Sequence, residues 1–308
     1  MLYNDILETI GNTPVVRLSK LAAKHGIKGN IYAKVEFYSP GMSKKDRIAK
    51  YMIERAEQSG CLKKGQTVIE QTSGNTGIGL AAVCAFKGYP FIAVMSAGNS
   101  PERAQMIHQF GAKVVLVPQS PNSTKGSVNA KDMELVEAEF NRLANKLNAL
   151  KVGQFYNEDN AMTHYHTTAN EIIDDLPDVD AFADFIGTGG SFEGIARRLK
   201  EYATTTNRDI ECFIVEPANN PHIIQGGGYL RPIPFADPAN CDGKITITND
   251  EAIFWTKELL TVEAIAGGIS SGANLAACVK YLKTNPGKDI VFLVNDPVLK
   301  YLSAECLK

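Results

Sequence analysis

Short apolar, β-branched runs alternate along most of the chain with longer stretches in which apolar residues return every three or four positions. The first kind has the character of a buried strand, the second the period of one helix face. Strands are predicted at Ile31–Val35, Thr67–Glu70, Phe91–Met95, Lys113–Val117, Ala181–Ile186, Glu211–Val215 and Asp289–Val294. Helices are predicted between them, at Lys45–Gln58, Thr76–Lys87, Pro101–Phe110, Met133–Leu150, Met162–Ile173, Phe192–Tyr202, Glu251–Leu260 and Gly272–Leu282. Such alternation reads as an α/β protein with parallel sheets covered by helices on both faces. Two segments follow neither period. Gln119–Lys125, rich in Ser, Pro and Asn, reads as a surface loop. Pro217–Asp242, proline-rich and carrying Gly226, Gly227 and Gly228, is long enough to be a functional loop rather than a connector.

Composition narrows the function more than the fold. With 308 residues, 44% hydrophobic and 21% charged, the chain has ample core for two domains or one large one. Its 32 basic and 34 acidic residues give no global electrostatic reason to bind nucleic acid or a membrane. The chain shows no apolar run of the roughly 18 residues that span a bilayer and no signal-peptide pattern, so a cytoplasmic location is expected. Six cysteines are scattered without a CxxC, and His164 and His166 fall on different faces of a helix. No metal site is expected.

The first strand-like run, Asn30–Tyr38, leads into Pro40-Gly41-Met42-Ser43-Lys44-Lys45-Asp46-Arg47. Pro and Gly end the extended segment, Ser43 suits an N-cap, and Ile48, Met52 and Ala56 return at helical spacing. Two lysines therefore sit in the first turn of a helix, where the backbone is already partly positive. The helix end and the neighbouring cation both favour a neutral amine, the form that acts as nucleophile or base. The rival reading is a pair of solvated first-turn lysines, with Asp46 softening the cost.

Three glycine-marked turns weigh on that choice. Gln71-Thr72-Ser73-Gly74-Asn75-Thr76-Gly77 runs from a strand into a helix, and its hydroxyls, amide and helix N-terminus make a receptor for a small anion such as a carboxylate. Gly187-Thr188-Gly189-Gly190-Ser191 stands in the same position downstream and suits a phosphate. It does not complete GxGxxG, because the sixth residue is Phe192, and the chain has no GxxxxGK[ST]. Gly267-Gly268-Ile269-Ser270-Ser271-Gly272-Ala273 opens a third helix and reads equally as tight packing. An amine nucleophile, an anion receptor and a phosphate cup together suit pyridoxal 5'-phosphate.

These segments, with Ile10-Gly11-Asn12-Thr13-Pro14 upstream, stand in one order over nearly the whole chain, and that order resembles the cysteine synthase (O-acetylserine sulfhydrylase)/cystathionine β-synthase family of fold-type II pyridoxal phosphate enzymes. The resemblance implies two three-layer α/β/α domains with mainly parallel twisted sheets, as in the tryptophan synthase β subunit. Residues 39–157 form the smaller, mobile domain with the carboxylate loop, and residues 1–38 plus 158–308 the larger one that holds the cofactor phosphate. Lys45 matches the Schiff-base lysine, and Lys44 stands where the family usually has a small apolar residue, so solvated charge remains the reading for Lys44 alone. Thr72, Ser73, Asn75, Thr76 and Gln154 match the substrate-carboxylate site, with Asn75 also near the cofactor's ring hydroxyl. Ser73 is carried over as catalytic beside Lys45. Gly187, Thr188, Gly189, Gly190 and Ser191 match the phosphate cup, and Ser270 the serine facing the pyridine nitrogen.

The implied activity is β-replacement through an aminoacrylate, with O-acetyl-L-serine and sulfide giving L-cysteine. Lys45 would take the Cα proton, and a thiol or sulfide would add to Cβ. The resemblance further implies a homodimer and, as a partner, serine acetyltransferase. Gln71, Met42 and Asn157-Glu158-Asp159-Asn160-Ala161 depart from the family pattern, and Arg231 lies where relatives vary near the active-site mouth, either meeting an anionic group or solvated. These departures leave open a cysteine-consuming hydrogen sulfide producer that makes serine, lanthionine or cystathionine, an O-phosphoserine-using relative, and a catalytically silent metabolite- or partner-binding regulator.

Overall fold

The computed structural model describes residues 2–121, 123, 128–219, 222–228, 235 and 237–304. In chain order its regular elements are β1 (Val15–Arg17), α1 (Ser19–Lys24), β2 (Asn30–Val35), α2 (Lys45–Gln58), β3 (Val68–Gln71), α3 (Asn75–Lys87), β4 (Phe91–Ser96), α4 (Pro101–Gln109), β5 (Lys113–Val117) and α5 (Ala130–Leu147). There follow β6 (Leu150–Lys151), α6 (Asp159–His166), α7 (Thr168–Asp175), β7 (Ala181–Phe185), α8 (Gly190–Thr206), β8 (Glu211–Pro217), β9 (Gly243–Ile247), α9 (Asn249–Glu263), α10 (Ile269–Thr284) and β10 (Asp289–Val294). A 3-10 turn, Val298–Tyr301, comes last.

Two sheets result. One has the order β1-β2-β10-β7-β8-β9 and is parallel except for β1, which runs antiparallel to β2 with Val15 opposite Lys34. The other, β5-β4-β3-β6, is parallel throughout and takes all its strands from residues 68–151. Alternate residues of a strand serve opposite faces. Ile290, Phe292 and Val294 of β10 pack with α9 and α10, while Val291 and Leu293 pack with α7 and α8. In the smaller sheet, Val68 and Ala93 face α2 and α3, while Ile69, Ile92 and Val94 face α5. Both sheets are thus covered on both sides, which explains why their central strands are predominantly apolar.

The elements without a sequence signal are the short or edge ones: β1, α1, β6 and β9. The single helix predicted at Met162–Ile173 is two, because Thr167 (φ −117°, ψ −79°) leaves helical geometry and its hydroxyl donates to the carbonyl of Thr163. Loops at the carboxyl ends of β3 and β7 carry the two anion-type turns into α3 and α8, the usual place for ligands in open α/β sheets.

Candidate active site

The segment after β2 is fixed before α2 begins. Ser43 is not the N-cap: Lys44 takes that position with helical angles, and Ser43 Oγ accepts from the Lys45 N–H at 3.3 Å. Asp46, in the first turn of α2, holds the turn ahead of it: its carboxylate accepts from the N–H groups of Gly41 (3.1 Å) and Ser43 (3.2 Å). Met42 sits at φ 54°, in the left-handed region that favours glycine, which gives a physical reason for a glycine where this chain has methionine.

The two lysines have different fates. Lys44 is not solvated: it is 7% exposed, and its Nζ lies 2.9 and 2.8 Å from the oxygens of Asp184, at the end of β7, and 2.8 Å from Ser191 Oγ. An adjacent buried carboxylate, invisible to local sequence reading, supplied the missing counter-ion. Lys45 lines a narrow cavity together with Gln71, Thr72, Ser73, Asn75, Thr76, Gln154 and Thr188. Burial, reinforced by the Lys44 charge, brings its amine down to about 7.

The anion turn is strongly organised. Gly74 (φ 141°) stands where a Cβ would lie 2.1 Å from Arg103 Cδ, and Arg103 donates to the Ser73 carbonyl at 2.9 Å. Thr72 Oγ1 accepts from the N–H groups of Gly74 (2.9 Å) and Gly77 (3.2 Å), which leaves its proton to point elsewhere. Thr76 Oγ1 donates to Gln154 Oε1 at 2.6 Å, and Gln154 Nε2 donates to the Gln71 carbonyl at 2.9 Å. Gln154 thus lines the cavity while its hydrogen bonds hold the turn.

Behind Gln154 lies Glu70, which sequence reasoning passed over. Its Oε2 accepts from the Gly153 N–H at 2.7 Å, and burial, opposed by hydrogen bonds from Gly153, Gln154 and Gln71, pushes its carboxyl up to about 8. The native state therefore keeps a proton that the unfolded chain releases above its ordinary carboxylate range, and this contribution to stability is lost as pH rises through about 8. Glu70→Gln is expected to remove that loss, melting with the parent near pH 5 and above it beyond pH 8 (rough limits set by the two pKa values). Superimposable thermal melts of parent and variant across this range would contradict it.

The second turn is a cradle. A Cβ on Gly187 would meet the Gly226 carbonyl oxygen at 2.4 Å, so the 226–228 loop can close onto the turn only over glycine. Thr188 Oγ1 accepts from Asn160 Nδ2 at 3.0 Å, and Gly189 and Gly190 open α8. Ser191 stands in the first turn of α8, but its hydroxyl donates to Asp184 at 2.5 Å rather than staying free for a ligand. Ser270 is buried in the first turn of α10 and accepts from Asn295 Nδ2 at 3.0 Å, outside the cavity lining. Arg231 lies outside the described residues.

Asn75 is held from an unforeseen direction. Lys300, in the last 3-10 turn, donates to Asn75 Oδ1 (2.9 Å) and to the carbonyls of Gly41 (2.7 Å) and Met42 (3.0 Å). Asp296 accepts from Asn75 Nδ2 at 2.7 Å and from the Tyr301 hydroxyl at 2.8 Å. A cation on the amide oxygen and a carboxylate on the nitrogen allow one orientation of the amide. A half-buried amine with no ion-pair partner among the described residues, a hydroxyl-bearing helix N-terminus and a glycine cradle at a second one form the donor set that suits pyridoxal phosphate. A broader cleft beside Asn12, Lys34 and Asp175 lies elsewhere, its lysine already paired with Glu171 at 2.9 Å. Among the described residues, no group of three or more His, Cys, Asp and Glu side chains is placed to hold a metal ion, and no helix is long and apolar enough to cross a membrane.

Comparison with known proteins agrees with this donor set. The family model described as pyridoxal-phosphate dependent enzyme matches residues 6–296. Cysteine synthase B of Campylobacter jejuni is 38% identical over 314 residues, an overlap covering 99% of this chain and 98% of that protein. A hydrogen sulfide-producing enzyme from Fusobacterium nucleatum, 38% identical, superposes with a TM-score of 0.89 over 98% of this chain and 99% of the other. An O-acetylserine dependent cystathionine β-synthase from Helicobacter pylori, 31% identical, gives 0.90 with 100% of both chains covered.

Proposed function

We propose that this chain, which belongs to the pyridoxal-phosphate dependent enzyme family, replaces the β-substituent of a serine derivative, with O-acetyl-L-serine and sulfide giving L-cysteine. The observation that carries the reading is the amine of Lys45, held near neutrality beside the anion turn in one cavity. Pyridoxal phosphate, when bound, supplies the aldehyde that takes up an amino group and the ring that accepts the electron pair left at Cα. Gly187, Thr188, Gly189, Gly190 and the backbone of Ser191 hold its phosphate, with Asn75 and Ser270 at its ring. Thr72, Ser73, Asn75 and Thr76 receive the substrate carboxylate at the N-terminus of α3, and Gln154 keeps that turn in shape. Lys45 Nζ, brought down to about 7 and so unprotonated in a substantial fraction at neutral pH, accepts the Cα proton.

Residues 39–157 move as a smaller unit over the larger one in this reading. Ser100 Oγ, just before α4, donates to Gln225 Oε1 of the 226–228 loop region at 2.9 Å, and that bond closes the entrance against water. Arg231 is kept as a contact for an anionic leaving group. Five free cysteines among the described residues, three of them buried, suit a reducing cytoplasm. A homodimer, and docking of serine acetyltransferase, complete the proposal.

The relative from Fusobacterium nucleatum supports a second reading, consumption of cysteine with release of sulfide. Paired assays with product identification separate the two. O-acetylserine plus sulfide is expected to yield cysteine; sulfide release from cysteine alone, with negligible sulfide uptake, would sink the first reading in favour of the second.

A further inference from the structure

Lys44 takes no part in the proposed reaction, yet the fold buries it beside the lysine that does. Its ammonium has three donors, and all three are engaged, on the two oxygens of Asp184 and on Ser191 Oγ. Asp184 is fully buried and also accepts from the Ser191 hydroxyl at 2.5 Å and from Asn274 Nδ2 at 3.3 Å. A carboxylate in such a place needs a cation. Two lysines adjacent in the chain are at hand, and the one that pairs with it is spent as a base.

We propose that Lys44 is a guard cation: by occupying Asp184 it leaves the amine of Lys45 without an ion-pair partner among the described residues, and so free to act. The proposal rests on the role given to Lys45 above. The other charged groups around that amine are already accounted for. Asp46, in its own helix, is engaged by two backbone N–H groups and faces Lys300. Arg47 is paired with Glu36 at 2.6 Å and with Glu171 at 2.6 Å. His164, from α6, is kept neutral by burial and by the neighbouring cations. Asp184, from β7, is the remaining carboxylate that acts on Lys45, and it acts to hold a proton there, against burial and Lys44. Without Lys44, Asp184 would draw the ammonium form of Lys45 into a buried pair.

The test is the pH dependence of cofactor capture by the full-length protein stripped of cofactor. Capture joins the lysine nitrogen to the aldehyde carbon with loss of one water, and is followed by the visible absorption that results. In Lys44→Met the midpoint of the rate–pH profile is expected to rise by at least about one unit, so that capture at neutral pH slows at least about fivefold and approaches the parent rate in alkali. Lys44→Met with Asp184→Asn is expected to return midpoint and rate to the parent's, although it lacks both charges; Lys44→Arg, which keeps the cation, should never leave them. A merely structural pair would instead slow capture equally at every pH and gain nothing from the second substitution. An unshifted Lys44→Met profile, or a double variant as slow as the single one, overturns the proposal. If Lys44→Met does not fold, a double variant shifted away from the parent profile overturns it alone. Borohydride reduction and peptide mapping of the parent keep the two readings apart, since a label on a lysine other than Lys45 refutes the earlier one.

Discussion

Lys45→Ala is expected to lower turnover by about four orders of magnitude, the upper range for a lost general base, and to abolish covalent capture of pyridoxal phosphate. The amine is the nucleophile and the base at once, and among the described residues no other lysine lines the cavity to replace it. Lys44 is held by Asp184 and Ser191, and Lys300 by two carbonyls and Asn75. The same substitution should spare the fold. The lysine, brought from 10.5 to about 7, releases in the native state a proton that the unfolded chain keeps, so wild-type stability is reduced at neutral pH and recovers as pH rises from about 7 towards 10.5. Alanine has no proton to lose, and this gain offsets the lost packing of the lysine stem. Thermal melts at neutral pH should therefore show a variant at least about as stable as the parent, with a flatter pH dependence above neutrality. A variant that keeps more than about a tenth of parental turnover would remove Lys45 from the mechanism. One that is dead but unfolded would leave the chemistry open, which is why the melt belongs to the measurement.

The order of motifs along the chain selects Lys45 over Lys44, but the lysine turn itself could be found from sequence because its signal is local: Pro40 and Gly41 end a strand, apolar residues return at helical spacing, and two charges fall in the first turn. The same holds for Thr72–Gly77 and Gly187–Ser191, each a turn between an apolar run and a helix. Central strands were legible for a related reason, since both faces are buried and β4, β7 and β10 are mostly apolar, Asp184 being the one charge inside β7. Edge elements lack that pressure. β9 alternates between exposed and half-buried positions over most of its length, and β1 has three residues. What local pattern could not convey is pairing across the fold. Asp184 is 140 residues from the lysine it neutralises, and Lys300 is 225 from the asparagine it orients. Either residue, read in its own neighbourhood, is an unremarkable charge.

Lys300→Met carries the second large effect, because one ammonium joins three segments: Gly41 and Met42 before the lysine turn, Asn75 of the anion turn, and its own turn after β10. Methionine fills much of the volume but leaves three acceptors without that donor, and it removes the cation facing Asp296 and Asp46. Breaking a buried charge arrangement from one side costs about 3–5 kcal/mol. For a chain of this size that corresponds to a fall in melting temperature of about 10 °C, at roughly 2–4 °C per kcal/mol. Function should suffer beyond stability. Asn75 would keep its bond to Asp296 but lose the one on its oxygen, so pyridoxal phosphate affinity should drop and substrate KM rise even well below the melting transition. Lys300→Arg retains the charge but not a compact three-way donor, so it should restore most of the stability and less of the affinity. The amine's own titration gives an independent check. Burial lowers it to about 8, so the parent gains stability as pH climbs from there towards 10.5, the unfolded chain holding a proton that the native amine has released. The methionine variant lacks this increment, and the gap between the two melting curves should widen with pH across that window. A variant that melts with the parent at every pH and binds the cofactor as tightly would show that Asn75 is set by Asp296 alone.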